Sequence, residues 1–372
     1  MAAVTRYLKR IAPPAGCVLA LAVGGCTVGG GSSGRESPSV ARGGTIRGAG
    51  ATLPAPLYRT WAQAFRRRAG TDVRYEAIGF SRGVSDFTAA LVEFGSTDAP
   101  LGDVEVATAA SDKSRPVHVP VAFGAVAVAY RLPDGRGGLR LDAPTLAAIF
   151  LGRVSRWDAP PIRRLNPGRA LPAIPIAVVH RADSAGTTRL LTSYLSGGSP
   201  EWSRRLGADE AVAWPVGRAV AGNRALAQAV AGTVGGLGYV DAGAARPAGV
   251  SRAALRNRAG RFVSPDAGSI TAATRDLPPA PGDRRFVAVG ASADPAAYPI
   301  ASPVFALVFE DPCQAKIQVE NVRRLRRWLR FVLGSAGQRV AAVTPGFAPL
   351  PPDLAARSRA AVRRLVCDGR RL

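Results

Sequence analysis

From Thr45 onward the chain alternates short apolar runs, turns of small residues and segments of helical spacing. Thr45–Arg47 leads into Gly48-Ala49-Gly50-Ala51, and Leu57, Trp61 and Phe65 then recur every fourth residue, as on one face of a helix. Val73 and Tyr75 alternate in the next strand, Val84–Glu93 reads as a short helix, and Phe94–Asp98 as a strand ending on Ala99-Pro100. Val117–Tyr130 is a long β-rich run interrupted by Pro120 and Gly124. Thr145–Phe150 and Thr187–Leu195 read as helices, with Ile174–Val179 a buried strand between them. Ala225–Val230, Leu237–Val240, Val304–Phe309 and Val319–Leu333 continue the alternation. Such a chain buries its apolar faces by covering sheets with helices, so an α/β fold with mainly parallel strands is expected. Arg246–Pro295 has little pattern and reads as loop-rich, and no internal repeat is visible. At 372 residues the chain suits two cores rather than one, and 42 glycines with 30 prolines argue against a helical bundle.

The N-terminus has the layout of an export signal. Arg6, Lys9 and Arg10 precede the apolar run Val18–Val23, which is too short to span a bilayer. Val23-Gly24-Gly25-Cys26 resembles a bacterial lipobox, whose cysteine is acylated after cleavage; a plain export signal is the alternative. Residues 1–25 are therefore read as signal peptide and 26–43, rich in Gly and Ser, as a flexible tether. With Cys17 removed and Cys26 acylated, Cys313 and Cys367 remain, either paired in a disulfide or as two free thiols.

The formal charge of +23 comes almost wholly from arginine, because Lys9, Lys113 and Lys316 are the only lysines. These arginines lie in twos and threes, as at Arg66–Arg68, Arg163–Arg164 and Arg204–Arg205. A nucleic-acid reader gathers them in one block, so most are read as solvated surface and no nucleic-acid partner is expected. No metal-ligand spacing and no P-loop occur.

Three strand-to-helix junctions are suited to anions: Gly48–Leu53, Gly79–Gly83 and His180–Thr188. The first turn of a helix leaves N–H groups without intrahelical partners and carries partial positive charge, so an oxyanion there needs few side chains. Asp98 and Arg181 complete the constellation. Gly79-Phe80-Ser81-Arg82-Gly83 also satisfies the G-x-S-x-G nucleophile elbow, which leaves a serine hydrolase open, with Ser81 as nucleophile and His118 or His180 as base.

Gly48-Ala-Gly-Ala-Thr-Leu-Pro-Ala-Pro-Leu-Tyr58 and Phe94-Gly-Ser-Thr-Asp-Ala-Pro-Leu101 resemble segments of the periplasmic phosphate-binding proteins of ABC importers, the PstS family. So do Ile149–Asp158, Leu165–Gly168, Val178–Thr188, Leu237–Val240 and Tyr298–Ile300, in order along residues 44–365. The resemblance implies a two-lobed α/β periplasmic-binding-protein fold with a hinge and an interlobe ligand cleft. Lobe I would comprise 44–122 and 297–372, and lobe II 123–296. It implies a ligand carrier and not an enzyme: a monomer without cofactor, held by its lipid anchor to the outer face of the cell membrane, that delivers inorganic phosphate to a permease. Thr52 and the Leu53 N–H match ligand contacts of the family, Asp98 matches the acceptor for protonated phosphate that excludes sulfate, and Arg181 matches the ligand's arginine, oriented by Asp183. Gly186 and Thr187 match the helix-start donors. The chain departs from the pattern at Phe80 and Ala185, where the family has serine, and at Arg82, where it has glycine. Ser81, Ser184 and Arg82 offer incomplete compensation. The resulting expectation is weak phosphate binding, another oxyanion or a sensor role, with Phe80→Ser plus Ala185→Ser restoring affinity.

Overall fold

The computed structural model describes residues 44–110, 114–135, 137–245, 247–275, 277 and 286–371. The expected signal peptide, Cys26 and the tether lie outside the described residues. The chain runs β1 (Thr45–Gly50), α1 (Ala55–Ala69), β2 (Asp72–Glu76), α2 (Phe80–Thr88), β3 (Phe94–Thr97), α3 (Asp103–Ala110) and β4 (Pro116–Tyr130). It continues through β5 (Arg140–Leu141), α4 (Ala143–Phe150), α5 (Pro160–Leu165), β6 (Ala177–Arg181), α6 (Gly186–Gly198), α7 (Pro200–Arg205), β7 (Arg218–Val220), α8 (Gly222–Ala231) and β8 (Gly236–Asp241). Short pieces follow: β9 (Ser251–Arg252), β10 (Ala254–Arg256), β11 (Phe262–Val263) and α9 (Ala267–Ala272). The chain closes with β12 (Ala301–Phe309), α10 (Val319–Leu333), α11 (Ser335–Val343), β13 (Phe347–Ala348), α12 (Pro352–Arg364), β14 (Val366–Cys367) and β15 (Arg370–Arg371).

The main sheet has the order β2-β1-β3-β12-β4-β8-β6-β7. It is mixed, not mainly parallel as the alternation suggests: β1 pairs in parallel with β2 and β3, and β6 with β7 and β8, but β12 and β4 run antiparallel to their neighbours. Both central strands are buried along their whole length, and an unbroken apolar run reads alike in either direction. Pro120 and Gly124 do not break β4. A register shift opposite Val304 and Phe305 leaves Val121 as an extra residue, which takes up the irregularity at Pro120. The carbonyl of Val121 accepts from Gln338 Nε2 at 2.9 Å.

β4 also sets the geometry of the site. Its first part pairs with β12 (Pro116↔Phe309 to Ala125↔Ala301) and its last five residues with β8 (Val126↔Asp241 to Tyr130↔Leu237). β3 reaches this level through Phe305↔Thr97, and β6 through Val178↔Leu237. The carboxyl ends of β1–β3 and of β6 therefore approach the middle of β4 from opposite directions. Ligands in α/β sheets bind outside the carboxyl ends of strands, and here two sets of such ends face each other.

Two core clusters cover the sheet. Leu57, Trp61 and Phe65 of α1 pack with Leu325, Trp328 and Leu329 of α10, and Trp328 meets Phe65 edge-on at 5.2 Å. Phe80 and Phe87 of α2 pack with Ala49, Leu307 and Phe309. The C-terminal hairpin is tied to the segment after β12 by the Cys313–Cys367 disulfide and by Asp311, whose carboxylate accepts from the N–H groups of Asp368 (3.0 Å) and Gly369 (2.8 Å). The disulfide spans 54 residues in sequence. Cys313→Ser with Cys367→Ser should lower unfolding free energy by about 4 kcal/mol on the chain-entropy account. Denaturant titration checks this, and an unchanged midpoint would mean that Asp311 alone holds the hairpin.

Candidate ligand-binding site

Four segments that follow parallel strands converge: residues 51–54 after β1, 77–79 after β2, Asp98 after β3, and 182–185 after β6. The β1 turn is drawn in by close backbone packing. A Cβ at Gly83 would sit 2.2 Å from the Gly50 Cα, so α2 can lie this close to β1 only with glycine at 83, and a Cβ on Gly50 would stand 2.0 Å from the Ser96 carbonyl oxygen of β3. Gly79 donates its N–H to the Gly50 carbonyl at 3.1 Å and caps α2, whose first-turn N–H groups open toward the β6–α6 segment. Across that gap Ser81 Oγ donates to Ser184 Oγ at 2.8 Å.

Arg181, the last residue of β6, is the centre of the site, with its side chain 1% exposed. Its Nε donates to Asp183 Oδ1 at 2.7 Å and its Nη2 to Asp183 Oδ2. Its Nη1 donates to Asn223 Oδ1 (3.0 Å), Thr187 Oγ1 (3.1 Å) and Thr52 Oγ1 (3.3 Å). Asp183 also accepts from the Gly222 N–H at 3.1 Å. Burial alone would push the Asp183 carboxyl up, but the hydrogen bonds and charge of Arg181 outweigh it and hold the group below the usual range.

Asp98 lies against the start of α6. A Cβ on Gly186 would stand 1.5 Å from Asp98 Oδ1, so only glycine admits the carboxylate there. Asp98 is fully buried, its carbonyl accepts from Ser302 Oγ at 2.7 Å, and its Oδ1 has no hydrogen-bond partner. Burial pushes its carboxyl up to about 6 against the pull of its own backbone N–H and of Arg181, with Glu210 adding to the rise. At α6, Thr188 and Arg189 donate their N–H groups back to the Ala185 carbonyl, which leaves those of Gly186 and Thr187 to face Asp98 and Arg181. The site thus offers helix-start donors, a pinned guanidinium and one unsatisfied carboxylate oxygen, a set suited to an oxyanion that carries a proton.

A PBP superfamily domain matches residues 36–335. The phosphate-binding protein PstS of Methanocaldococcus jannaschii is 33% identical over 364 residues, covering 90% of each chain. The chain belongs to the PstS family. The PstS protein of Pasteurella multocida is 37% identical over 230 residues, which span 62% of this chain and 65% of that relative. The fold agrees with a solved periplasmic phosphate-binding protein, PfluDING, at a TM-score of 0.70 and 21% identity, covering 85% of this chain and 93% of that one. It is therefore the mixed α/β periplasmic-binding-protein fold. The family's members are binding proteins, not enzymes.

The hydrolase reading fails on geometry as well. His180 stacks on Trp214 with ring centroids 5.1 Å apart and turns Nδ1 to the Arg181 carbonyl, and His118 Nε2 accepts from the Leu101 N–H. The Ser81 hydroxyl meets Ser184, not an imidazole.

Of the expected PstS-type site residues, the structure brings Thr52, Asp98, Arg181, Asp183, Gly186 and Thr187 together, with Ser81 and Ala185 in the adjoining turns, while the Leu53 side chain is buried in the core. Phe80 is the correction. Its ring is 2% exposed and packs in the cluster with Phe87 and Leu307, so it does not stand in the ligand's space. Arg82 turns outward to Asp86 at 2.9 Å and brings no charge to the site. The sequence reading also missed Asn223, which is 3% exposed, and Tyr239, whose hydroxyl accepts from the Arg181 N–H at 3.1 Å and meets Thr188 Oγ1 at 2.8 Å. Gly222-Asn223 opens α8 directly after β7, a fourth strand-to-helix junction of the kind already singled out.

Phe80→Ser should not tighten binding. Loss of a buried phenyl group should cost about 3–5 kcal/mol of stability by analogy with Phe→Ala cores, whereas Ala185→Ser, at the uncapped N-cap of α6, should add about 1 kcal/mol. Thermal melts of the two single variants test the pair of signs. Asn223 Nδ2 is buried without a partner. Asn223→Ala removes an acceptor from Arg181, and hydrogen bonds to charged groups are worth about 1.5–3 kcal/mol, so oxyanion affinity should fall roughly tenfold to a hundredfold. Calorimetric titration reads this, and unchanged affinity would remove Asn223 from the site.

Proposed function

We propose that this chain is an exported receptor that captures inorganic phosphate and hands it to an ABC permease. The observation that carries the reading is the unsatisfied Asp98 Oδ1 set at the helix start that also faces Arg181. A carboxylate oxygen held there repels a fully ionised anion and accepts from a protonated one, so it selects phosphate over sulfate. Thr52, the Leu53 N–H, Gly186 and Thr187 supply the remaining donors, and Arg181 the charge-assisted bonds.

The capture motion belongs to the same proposal. The body divides into lobe I (44–122 and 297–372) and lobe II (123–296), with β4 and the chain before β12 as crossings. Thr52 and Asp98 then belong to one lobe and Arg181, Asp183, Gly186 and Thr187 to the other, so ligand binding and closure are one event. The relatives' periplasmic setting and the Val-Gly-Gly-Cys26 sequence support export and acylation at Cys26, which place the receptor at the outer face of the membrane. Among the described residues no helix is long and apolar enough to cross a membrane.

Calorimetry with phosphate and sulfate tests the reading. Phosphate should bind at pH 8 and sulfate should not. With the Asp98 carboxyl pushed up to about 6, acidification converts it from acceptor to donor. Sulfate affinity should therefore rise about tenfold per pH unit as pH falls toward 6 and level off below it. Asp241, which burial pushes up to about 7, titrates in the same window. Asp98→Asn is the control: it should bind sulfate at pH 8 with no such slope. A slope that survives in Asp98→Asn would assign the discrimination to another group.

A further inference from the structure

The ligand site leaves the arginine content of the chain unexplained, and the structure shows where it is concentrated. From Val319 to Arg371 there are twelve arginines against three acids, Glu320, Asp353 and Asp368. From Gly44 to Tyr130 the sequence is nearly balanced, with nine basic residues against eight acids. Nine of the twelve lie on α10 and α12, and these helices share one face of the sheet with α1. Trp61 and Phe65 of α1 pack on Trp328 of α10, and Arg359 of α12 donates to the Leu333 carbonyl of α10 at 3.1 Å. On α10 the exposed residues Arg323, Arg327 and Arg330 form an i, i+4, i+7 stripe opposite the buried Val322, Leu325, Leu329 and Val332. Arg67 and Arg68 end α1 beside it, and Arg363 and Arg364 end α12; all four are exposed.

Neutralisation within this layer is sparse. Arg323, Arg324 and Arg327 share the one carboxylate of Glu320, at 3.6–3.7 Å. Among the described residues Arg330, Arg363 and Arg364 have no carboxylate at ion-pair distance. The α2–α3 layer on the opposite face is of the other sign. Phe94 faces Tyr58 of α1 whereas the next residue, Gly95, faces Phe87 of α2, so α1 and α2 lie on opposite faces. α2 and α3 carry Arg82 against Asp86, Asp103 and Glu105. Gly44, the first described residue, lies at the basic layer, since a Cβ on it would strike the Arg324 guanidinium.

We propose that the outer face of α1, α10 and α12 seats the protein on an anionic lipid bilayer. Each arginine near such a surface contributes about 1 kcal/mol, and the attraction fades within a Debye length, about 10 Å at 0.1 M salt. If Cys26 is acylated, as proposed above, it lies only 18 residues before Gly44, which bounds the distance from the anchor to this face at about 65 Å of extended chain. The inference uses the anchor only for that proximity. The ligand site lies at the strand ends, beside the seated face and not under it, so phosphate can enter and leave while the receptor rests on the membrane.

The test uses purified Cys26→Ala protein, which carries no acyl chain, so failure of the anchor cannot mimic failure of the surface. It should co-sediment with vesicles of phosphatidylcholine containing about 30% phosphatidylglycerol at about 0.1 M salt, be released near 1 M salt, and ignore pure phosphatidylcholine vesicles. Arg323→Glu, Arg327→Glu and Arg330→Glu together should weaken vesicle binding at least about tenfold while phosphate titration remains unchanged, which also certifies the fold. The matched change Arg163→Glu, Arg164→Glu and Arg204→Glu, at exposed positions on α5 and α7, should leave most of the binding intact. Equal losses in both triples would reduce the effect to net charge and overturn the assignment. Absence of binding to anionic vesicles, or equal binding to neutral ones, would also overturn it.

Discussion

A guanidinium taken out of water must be surrounded by acceptors or it opposes folding by several kcal/mol. Arg181 is such a group, and the segments that meet its need are the ones that build the site. Asp183 comes from its own turn, Thr187 from α6, Asn223 from α8 and Thr52 from the turn after β1. The bond to Thr52 is the longest of these at 3.3 Å, and it is the one that reaches across to the β1–α1 turn. The bonds to Asp183, Thr187 and Asn223 satisfy and orient the cation independently of that contact. An arginine oriented in this way need not be reorganised when an anion arrives, which is where preorganisation gains affinity.

Net positive charge does not make this pocket. Around the ligand position stand one guanidinium and two carboxylates, Asp98 and Asp183, so the side-chain charges do not favour an anion. The favourable part comes from N–H groups at the starts of α2 and α6 and in the turn after β1, whose dipoles are set by the carboxyl ends of the strands. Most of the 49 basic residues lie elsewhere, thirteen of them arginines of α1, α10 and α12. On the proposed reading selection and attraction are separated: the site would discriminate by proton position, while the exposed arginines supply long-range field.

The order of elements, the anion-binding turns and the pair Asp98 and Arg181 were legible because each rests on local pattern. Helix α10 was read with its observed bounds, Val319–Leu333, since its apolar stripe is long. Strand direction was not legible, because β4 and β12 are buried on both faces and carry no alternation to orient them. Phe80 was misread for a different reason. Starting the helix at Val84 instead of Phe80 hid the stripe Phe80, Val84, Phe87, whose spacing puts Phe80 on the apolar side. Asn223 follows a strand of only three residues, too short for periodicity to mark the junction it begins.

The two departures from the family pattern are linked through space. Where the family has serine at positions 80 and 185, this chain has Phe80 and Ala185, yet Ser81 follows the first and Ser184 precedes the second. Each loop has its hydroxyl one residue away, and the two hydroxyls meet at 2.8 Å. A hydroxyl carries one donor hydrogen, so a pair bonded to each other keeps a single hydrogen free for a third group. The contact joins the turn after β2 to the turn after β6, the same segments that an anion would bridge in the proposed function. A ligand shifts a closure equilibrium only by the difference between what it gains in the closed and open states. Under the proposed closure, serines that satisfy each other across the gap would narrow that difference. On that proposal any cost of the substitutions would lie less in blocked space, since Phe80 is in the core, than in a closed state that depends less on its ligand.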